Sequence, residues 1–129
     1  MFHSEATTRG VRVSVQSRYV PERSDPAGRH WFFAYQVRIS NLGTETVQLV
    51  SRHWIITDAD ARVQEVEGAG VVGQQPVLPP GESFEYTSGC PLETPFGSMH
   101  GSYQMRAANG DRFDAVIAPF SLGEPHAIN

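Results

Sequence analysis

The sequence contains no lysine, and all ten of its basic residues are arginine. Schiff-base chemistry and a P-loop are therefore excluded, since both depend on a lysine amine. The single cysteine, Cys90, excludes an intramolecular disulfide and any site built from several thiolates. No apolar run approaches the ~20 residues of a membrane helix, and the first residues lack the pattern of a secretory signal. We therefore expect a cytoplasmic protein without a membrane partner.

The charge balance is acidic, with a net charge of −4 and a pI near 5.7. A field of this sign does not attract nucleic acid, so we expect no nucleic-acid partner. The 129 residues suit one domain, which at this length buries roughly two thirds of its unfolded surface. We predict a single domain over residues 1–129, with a frayed tail over 123–129.

Helical periodicity is also missing, and alternation of apolar and polar residues takes its place. Between Trp31 and Ser40, for example, most alternate residues are large and apolar. Asn109-Gly110 separates two such segments and is a hairpin signal. The pattern predicts an all-β fold, an antiparallel β-sandwich with Greek-key crossings. About seven strands are expected, near residues 11–16, 31–40, 47–57, 62–67, 83–90, 99–107 and 113–117.

A glycine loop follows the fourth of these segments. Gly68-x-Gly70-x-x-Gly73 has the spacing of a dinucleotide fingerprint, but three prolines between 76 and 80 prevent the helix that this fingerprint requires. Two interpretations stay open. Either the glycines serve a tight bend, or their successive N–H groups form a nest that binds pyrophosphate or a nucleotide. In the second case, Arg52 or Arg62 would supply the charged contact.

Metal-ligand patterns are not visible. The five histidines form no HxH or HxxxH pair, so we expect neither a metal ion nor a cofactor. The residues closest to ligand chemistry are Asp58 with Asp60 for magnesium, and His53 or His100 for cobalt. The ordinary interpretation of the two carboxylates is that they lie in a solvated turn.

A catalytic constellation is not visible either. Cys90 stands in Ser88-Gly89-Cys90-Pro91 without an orienting partner, which is typical of a buried structural thiol. Hydrolysis of dinucleoside polyphosphates would need clustered carboxylates and bound metal, and no such cluster occurs in the sequence. We therefore expect that the protein is not an enzyme.

Nearly the whole chain resembles the ApaG family, also called CorD. Five motifs carry the resemblance: RHWIITD at 52–58, GAGVVG at 68–73, QPVLPPG at 75–81, FEY at 84–86 and GSYQM at 101–105. It extends over residues 4–123 and implies a fibronectin type III-like or immunoglobulin-like sandwich. One departure is Ala61, where the family's turn often carries glycine. If residue 61 has a positive φ, alanine costs about 1 kcal/mol there.

The resemblance also implies a function in outline. The family is associated with cobalt tolerance and magnesium efflux, and in its eukaryotic relatives the domain looks like a protein-binding module. We therefore predict a non-enzymatic binding or adaptor module with a protein partner, linked to divalent-cation homeostasis. One alternative is a phosphate or nucleotide binder that uses residues 68–73, and another is a dinucleoside polyphosphate hydrolase. Edge strands of an open sandwich would also allow a homodimer.

Overall fold

The computed structural model describes residues 2–125, which form nine strands and two single 3-10 turns, Pro21–Arg23 and Pro26–Gly28. Within this part of the chain no helix is long and apolar enough to cross a membrane. The strands are β1 (His3–Thr8), β2 (Val11–Tyr19), β3 (Trp31–Asn41), β4 (Val47–Asp58), β5 (Val63–Ala69), β6 (Val77–Leu78), β7 (Ser83–Leu92), β8 (Phe96–Ala107) and β9 (Arg112–Gly123).

The predicted antiparallel β-sandwich is confirmed. The first sheet has the strand order β1-β2-β3-β7, and the second has the order β5-β4-β8-β9, with β6 also paired to β4. The seven predicted strands correspond to β2–β5 and β7–β9, and the hairpin predicted at Asn109-Gly110 joins β8 to β9. β1 and β6 are additional. β1 was missed because its sequence, HSEATT, has no large apolar residue.

The core lies between the sheets and is built from the alternate residues of each strand. Trp54 is at its centre, where its ring makes edge contacts with the rings of Tyr35, Tyr103 and Phe120 at centroid distances of 5.2, 6.2 and 6.0 Å. Aromatic pairs in such geometry add to the free energy gained from burial alone.

The two sides of the sandwich differ. On one side, hydrogen bonds join β1 and β2 to β9: Ser4 Oγ donates to Ala118 O (2.8 Å), and Ser17 Oγ donates to Ser121 O (2.6 Å). On the other side, β5 and β7 are the free edges of the two sheets. No hydrogen bond joins these two strands within residues 2–125. We call this second side, bounded by β5 and β7, the open side.

The predicted tail begins at the last residue of the final strand. Gly123 is the last residue of β9, and the Glu124 amide donates to Pro95 O (2.9 Å). Residues 126–129 of the predicted tail lie outside the described residues.

Ala61 lies in the turn from β4 to β5 with a φ of 63°. An L-residue with a side chain is strained in this left-handed region, whereas glycine is not. We expect Ala61→Gly to raise the free energy of unfolding by about 0.5–1 kcal/mol, measured by urea denaturation. Ala59→Gly, in the same turn but without a positive φ, should lower it by a similar amount. An Ala61→Gly variant no more stable than the parent would contradict this explanation.

Candidate functional site

The glycine loop is a tight hairpin that continues from β5. Val71 N donates to Gln74 O and Gln74 N donates to Val71 O, both at 2.8 Å. The two residues between them, Val72 and Gly73, have positive φ values of 43° and 80°, as in a two-residue type I′ turn. Val71 is buried in the core, so the turn is fixed to the sandwich.

Close contacts explain two of the glycines: Gly68 leaves room for the Arg52 side chain, and Gly70 leaves room for a backbone oxygen. A Cβ on Gly68 would lie 2.8–2.9 Å from three atoms of the Arg52 guanidinium group. Gly70 has a φ of 62°, and its Cβ would lie 2.2 Å from Gln74 O. The glycine pattern therefore has a packing explanation in this fold.

The hydrogen-bonding groups of the loop are largely used within the chain. Gly70 N donates to Val50 O (2.8 Å), and Val71 N is bound in the turn. Arg52 Nη1 donates to Ala69 O (3.0 Å) and Gly70 O (2.9 Å). An anion nest needs successive free N–H groups that converge. Arg52 lies beside the loop, but its Nη1 donates to the loop's carbonyl oxygens rather than to an anion.

Arg62 lies at the other end of β5 from the loop, about 20 Å from Gly68 at ~3.3 Å per residue. Its guanidinium group binds three carboxylates: Asp58 (Nε to Oδ2, 2.9 Å), Asp60 (Nη2 to Oδ2, 3.2 Å) and Glu93 (Nη1 to Oε2, 3.7 Å). The structure therefore does not bring Arg62 together with the glycine loop.

The two aspartates considered for magnesium stabilise a turn. Asp58 Oδ1 accepts hydrogen bonds from the amides of Asp60 (2.9 Å) and Arg62 (3.0 Å). Desolvation opposes ionisation of Asp58, but the hydrogen bonds from Arg62 and Asp60 outweigh it, so its pKa lies below the ordinary value. The carboxylate oxygens of Asp58 are thus engaged by backbone and arginine donors.

The histidines considered for cobalt lie on the outer face of the second sheet. His53 Nε2 is 2.8 Å from Glu65 Oε1, and its Nδ1 is 4.0 Å from Glu67 Oε1. His100 is paired with Ile55 across β4 and β8. In residues 2–125 no group of three or more His, Cys, Asp or Glu side chains has metal-binding geometry.

A cleft of about 240 Å³ enters the sandwich from the open side. A β-bulge between Leu49 and Ser51 shapes it, because the bulge reverses which residues of β4 face inward. Leu49 faces the core before the bulge, and Arg52 and Trp54 face inward after it. The lining residues are Tyr35, Arg52, Trp54, Ile56, Gln64, Val66, Ser88, Gly89, Cys90, Pro91 and Met99.

The cleft is rich in hydrogen-bond donors and has no carboxylate in its lining. Burial raises the pKa of Tyr35 and outweighs the opposing effect of the Ser88 side chain, so the phenol stays protonated. Behind the cleft the hydroxyls of Tyr86 and Tyr103 are hydrogen-bonded to each other, and burial raises the pKa of both. The positive charge of Arg52 acts on all three tyrosines in the opposite direction.

Cys90 also lines the cleft. Burial raises the pKa of its thiol to about 11, so the side chain is an uncharged thiol at neutral pH. A thiol is a much weaker nucleophile than a thiolate. The geometry around Cys90 therefore agrees with a structural role.

A family model for the ApaG domain matches residues 21–107. Protein ApaG of Bordetella pertussis (strain Tohama I) is 58% identical over 119 residues, which is 92% of this chain and 91% of the relative. The chain belongs to the ApaG family. Protein ApaG of Bradyrhizobium sp. (strain ORS 278) is also 58% identical, over 93% of this chain and 92% of its own length.

Solved structures agree with this family assignment. The crystal structure of an ApaA protein from Bordetella pertussis superposes with a TM-score of 0.87 at 59% identity, covering 89% of this chain and 94% of that one. A protein from Archaeoglobus fulgidus, with a TM-score of 0.54 at 9% identity over 94% of this chain and 98% of that one, shares the fold alone. Membership of the ApaG family thus fixes the architecture of this protein.

Sequence reasoning selected Arg52 but assigned it to the glycine loop rather than to the cleft. The missed signal was the bulge in β4. An imperfect alternation over 47–57 was visible, but it did not show at which residue the inward face changes. Tyr35, Trp54 and Ser88 were missed as site residues because aromatic and small residues in strands are ordinary core components.

Proposed function

We propose that this ApaG-family protein is a non-enzymatic binding module that holds an extended segment of a partner protein on its open side. The observation that carries the proposal is that both sheets end there in free edge strands with a polar cleft between them. A free edge offers unpaired backbone groups to an added strand, which is a common mode of peptide recognition.

The free hydrogen-bonding groups of β5 can be assigned from its register. Asp58 N donates to Arg62 O, and Gly70 N donates to Val50 O. In this register the backbone N–H and C=O groups that point toward β4 are those of residues 62, 64, 66, 68 and 70. In an antiparallel pair the intervening residues direct their N–H and C=O groups away from the partner strand, which here is β4. The backbone groups of Glu65 and Glu67 therefore face the open side.

Charge favours a foreign segment over a second copy of this chain. Glu65 and Glu67 are exposed on the outer face of β5. If two β5 strands paired antiparallel about Val66, each Glu65 would face a Glu67 of the other copy. Like charges directly opposite each other destabilise a strand pair. A homodimer through β5 is thus disfavoured relative to a partner segment without acidic residues at those positions.

The proposed link to cobalt and magnesium homeostasis runs through this partner, in the cytoplasm. The family resemblance motivates the link. We propose that the link is indirect, because the candidate metal ligands are already bound to other side chains of this protein. Asp58 and Asp60 bind Arg62, and His53 is hydrogen-bonded to Glu65. The same engagement of carboxylates, together with the protonated Cys90 thiol, argues against hydrolase chemistry.

Selection of peptides from a displayed library of random decapeptides on the immobilised full-length chain tests the proposal. A selected peptide is then titrated into the isotopically labelled protein and followed by NMR. We expect saturable shifts along β5 and β7, and loss of binding in Glu65→Pro, which removes one free N–H on the open side. Glu5→Gln, on β1, is the matched control and should bind as the parent does.

Two results would overturn the proposed function. One is that selected peptides shift residues of β1 or β9 and leave β5 and β7 unchanged. The other is self-association of the chain, measured by sedimentation, that Glu65→Pro abolishes, because the occupant of the open side would then be a second copy.

A further inference from the structure

We propose that the cleft at Arg52 is an oxyanion site that binds the carboxylate of an acidic side chain on the partner segment. The inference rests on the proposed function for the identity of the segment, but the site itself is argued from its own geometry. It differs from the nest considered as an alternative at the glycine loop, because the ligand would lie between the sheets.

Arg52 is a half-buried cation without a carboxylate partner in the part of the chain that the structure describes. Other arginines, such as Arg38 and Arg62, pair with carboxylates at the surface. Partial burial of an unpaired charge is unfavourable, and an anion entering the cleft would relieve it.

The guanidinium group is held in one orientation. Its Nη1 donates to Ala69 O and Gly70 O, and the group lies against the Cα of Gly68, where a Cβ would be 2.8 Å from Nη2. Nε and Nη2 donate to no group within residues 2–125. These two nitrogens form an edge that a planar carboxylate can bind with two parallel hydrogen bonds.

Trp54 provides a second, independent observation. This residue lines the cleft and is 2% exposed, yet its Nε1–H is buried and has no acceptor in the described chain. Buried donors are nearly always paired in folded proteins, so an unpaired indole N–H requires an explanation. An acceptor oxygen that reaches this N–H from the cleft would supply one.

Size and charge favour a carboxylate over a nucleotide. The volume of about 240 Å³ is below the ~300–1,000 Å³ of pockets that enclose drug-sized ligands, but it accommodates an acidic side chain. The lining contains one cation, Arg52, which matches a single negative charge. A residue of an added strand that pairs with Gly68 or Val66 would face inward, toward Arg52.

Titration with sodium acetate and, separately, inorganic phosphate at constant ionic strength tests the site. The indole N–H of Trp54 and the Nε–H of Arg52 are followed by NMR. The second tryptophan, Trp31, does not line the cleft and is an internal control. We expect saturable shifts of Trp54 and Arg52 with acetate and no shift of Trp31.

Two variants distinguish the contribution of the planar, oriented guanidinium group of Arg52 from that of its positive charge. Arg52→Lys keeps the cation and loses the planar fork, and Gly68→Ala keeps Arg52 but displaces its guanidinium group. We expect both to weaken acetate binding about tenfold, since charge-assisted bidentate pairs carry this difference. Arg106→Lys, at an exposed position of β8, should have no effect. Unchanged amide spectra outside the cleft show that the variants are folded.

A pair of peptides joins the site to the proposed function. Ac-Thr-Val-Thr-Glu-Thr-Val-Thr-amide should bind about tenfold more tightly than the same peptide with Gln in place of Glu, and only when Arg52 is intact. If both peptides bind equally along β5, the carboxylate site is wrong and the proposed function stands. If acetate binds at Arg52 but neither peptide binds, the site stands and edge-strand recognition fails. Binding of phosphate alone, or of neither anion, overturns the inference.

Discussion

Replacing Gly70 with valine is expected to lower the free energy of unfolding by about 3 kcal/mol, which is a large fraction of the stability of a small domain. Two costs combine. Gly70 has a φ of 62°, where an L-residue loses about 1–2 kcal/mol. The new Cβ would also lie 2.2 Å from Gln74 O, and relief of such overpacking costs about 1–3 kcal/mol. Urea denaturation followed by tryptophan fluorescence measures the effect.

Gly73→Val is the matched control. Gly73 is in the same loop and has a φ of 80°, but a Cβ there would contact nothing within 4 Å. We expect this variant to lose only the conformational cost, about 1–2 kcal/mol. If Gly70→Val is as stable as the parent but no longer binds acetate or phosphate, the packing explanation of the loop is wrong and the loop itself binds the anion.

The second large effect is expected at alkaline pH. Burial raises the pKa of the Tyr35, Tyr86 and Tyr103 hydroxyls above 10.0, and that of the Cys90 thiol from 9.0 to about 11. These groups keep their protons in the folded state at a pH at which the unfolded chain has lost them. Their contribution to stability is therefore fully present below pH 9 and is lost as the pH rises toward the folded-state pKa values.

A group that is ionised in the unfolded chain but protonated in the fold removes about 1.4 kcal/mol per pH unit. Cys90, whose pKa rises from 9.0 to about 11, should therefore lower the free energy of unfolding by about 2 kcal/mol between pH 9 and pH 11, and the three tyrosines should add to this loss above pH 10. The absence of lysine makes the measurement unusually direct, because arginine keeps its proton over this range. Urea denaturation at pH 7, 9, 10 and 11 gives the slope. Cys90→Ala should remove the part of the loss that begins near pH 9. A stability that stays constant to pH 11 would show that these groups ionise freely in the folded protein.

The fold was predictable from sequence because most strands have one buried and one exposed face. Strands that form only because they pair with another part of the fold were not predictable. β6 consists of Val77 and Leu78 between prolines, and only its pairing with β4 makes it a strand. The positive φ at Ala61 could be stated as a condition, since the resemblance placed glycine there, but the sequence alone does not give the backbone angle.

The candidate site was less predictable than the fold because it depends on the position of the β-bulge in β4. A one-residue insertion in a strand moves every following side chain to the opposite face. The position of the bulge before Ser51 decides whether Arg52 faces solvent or the core, and local composition does not specify it. Asp58 illustrates a second limit, because the competition between arginine and a cation for its oxygens depends on where Arg62 lies.

The closure of β1 and β2 against β9 has a consequence for larger proteins that carry such a domain. The hydrogen bond from Ser4 to Ala118 joins residues 114 positions apart, so the first and last strands of the domain meet on one side. Chains connected at neighbouring ends can be inserted into other proteins with little distortion. A fused neighbour would be attached on the side opposite β5 and β7. In a protein with several domains, the open side of this domain would therefore face away from the domain to which it is fused.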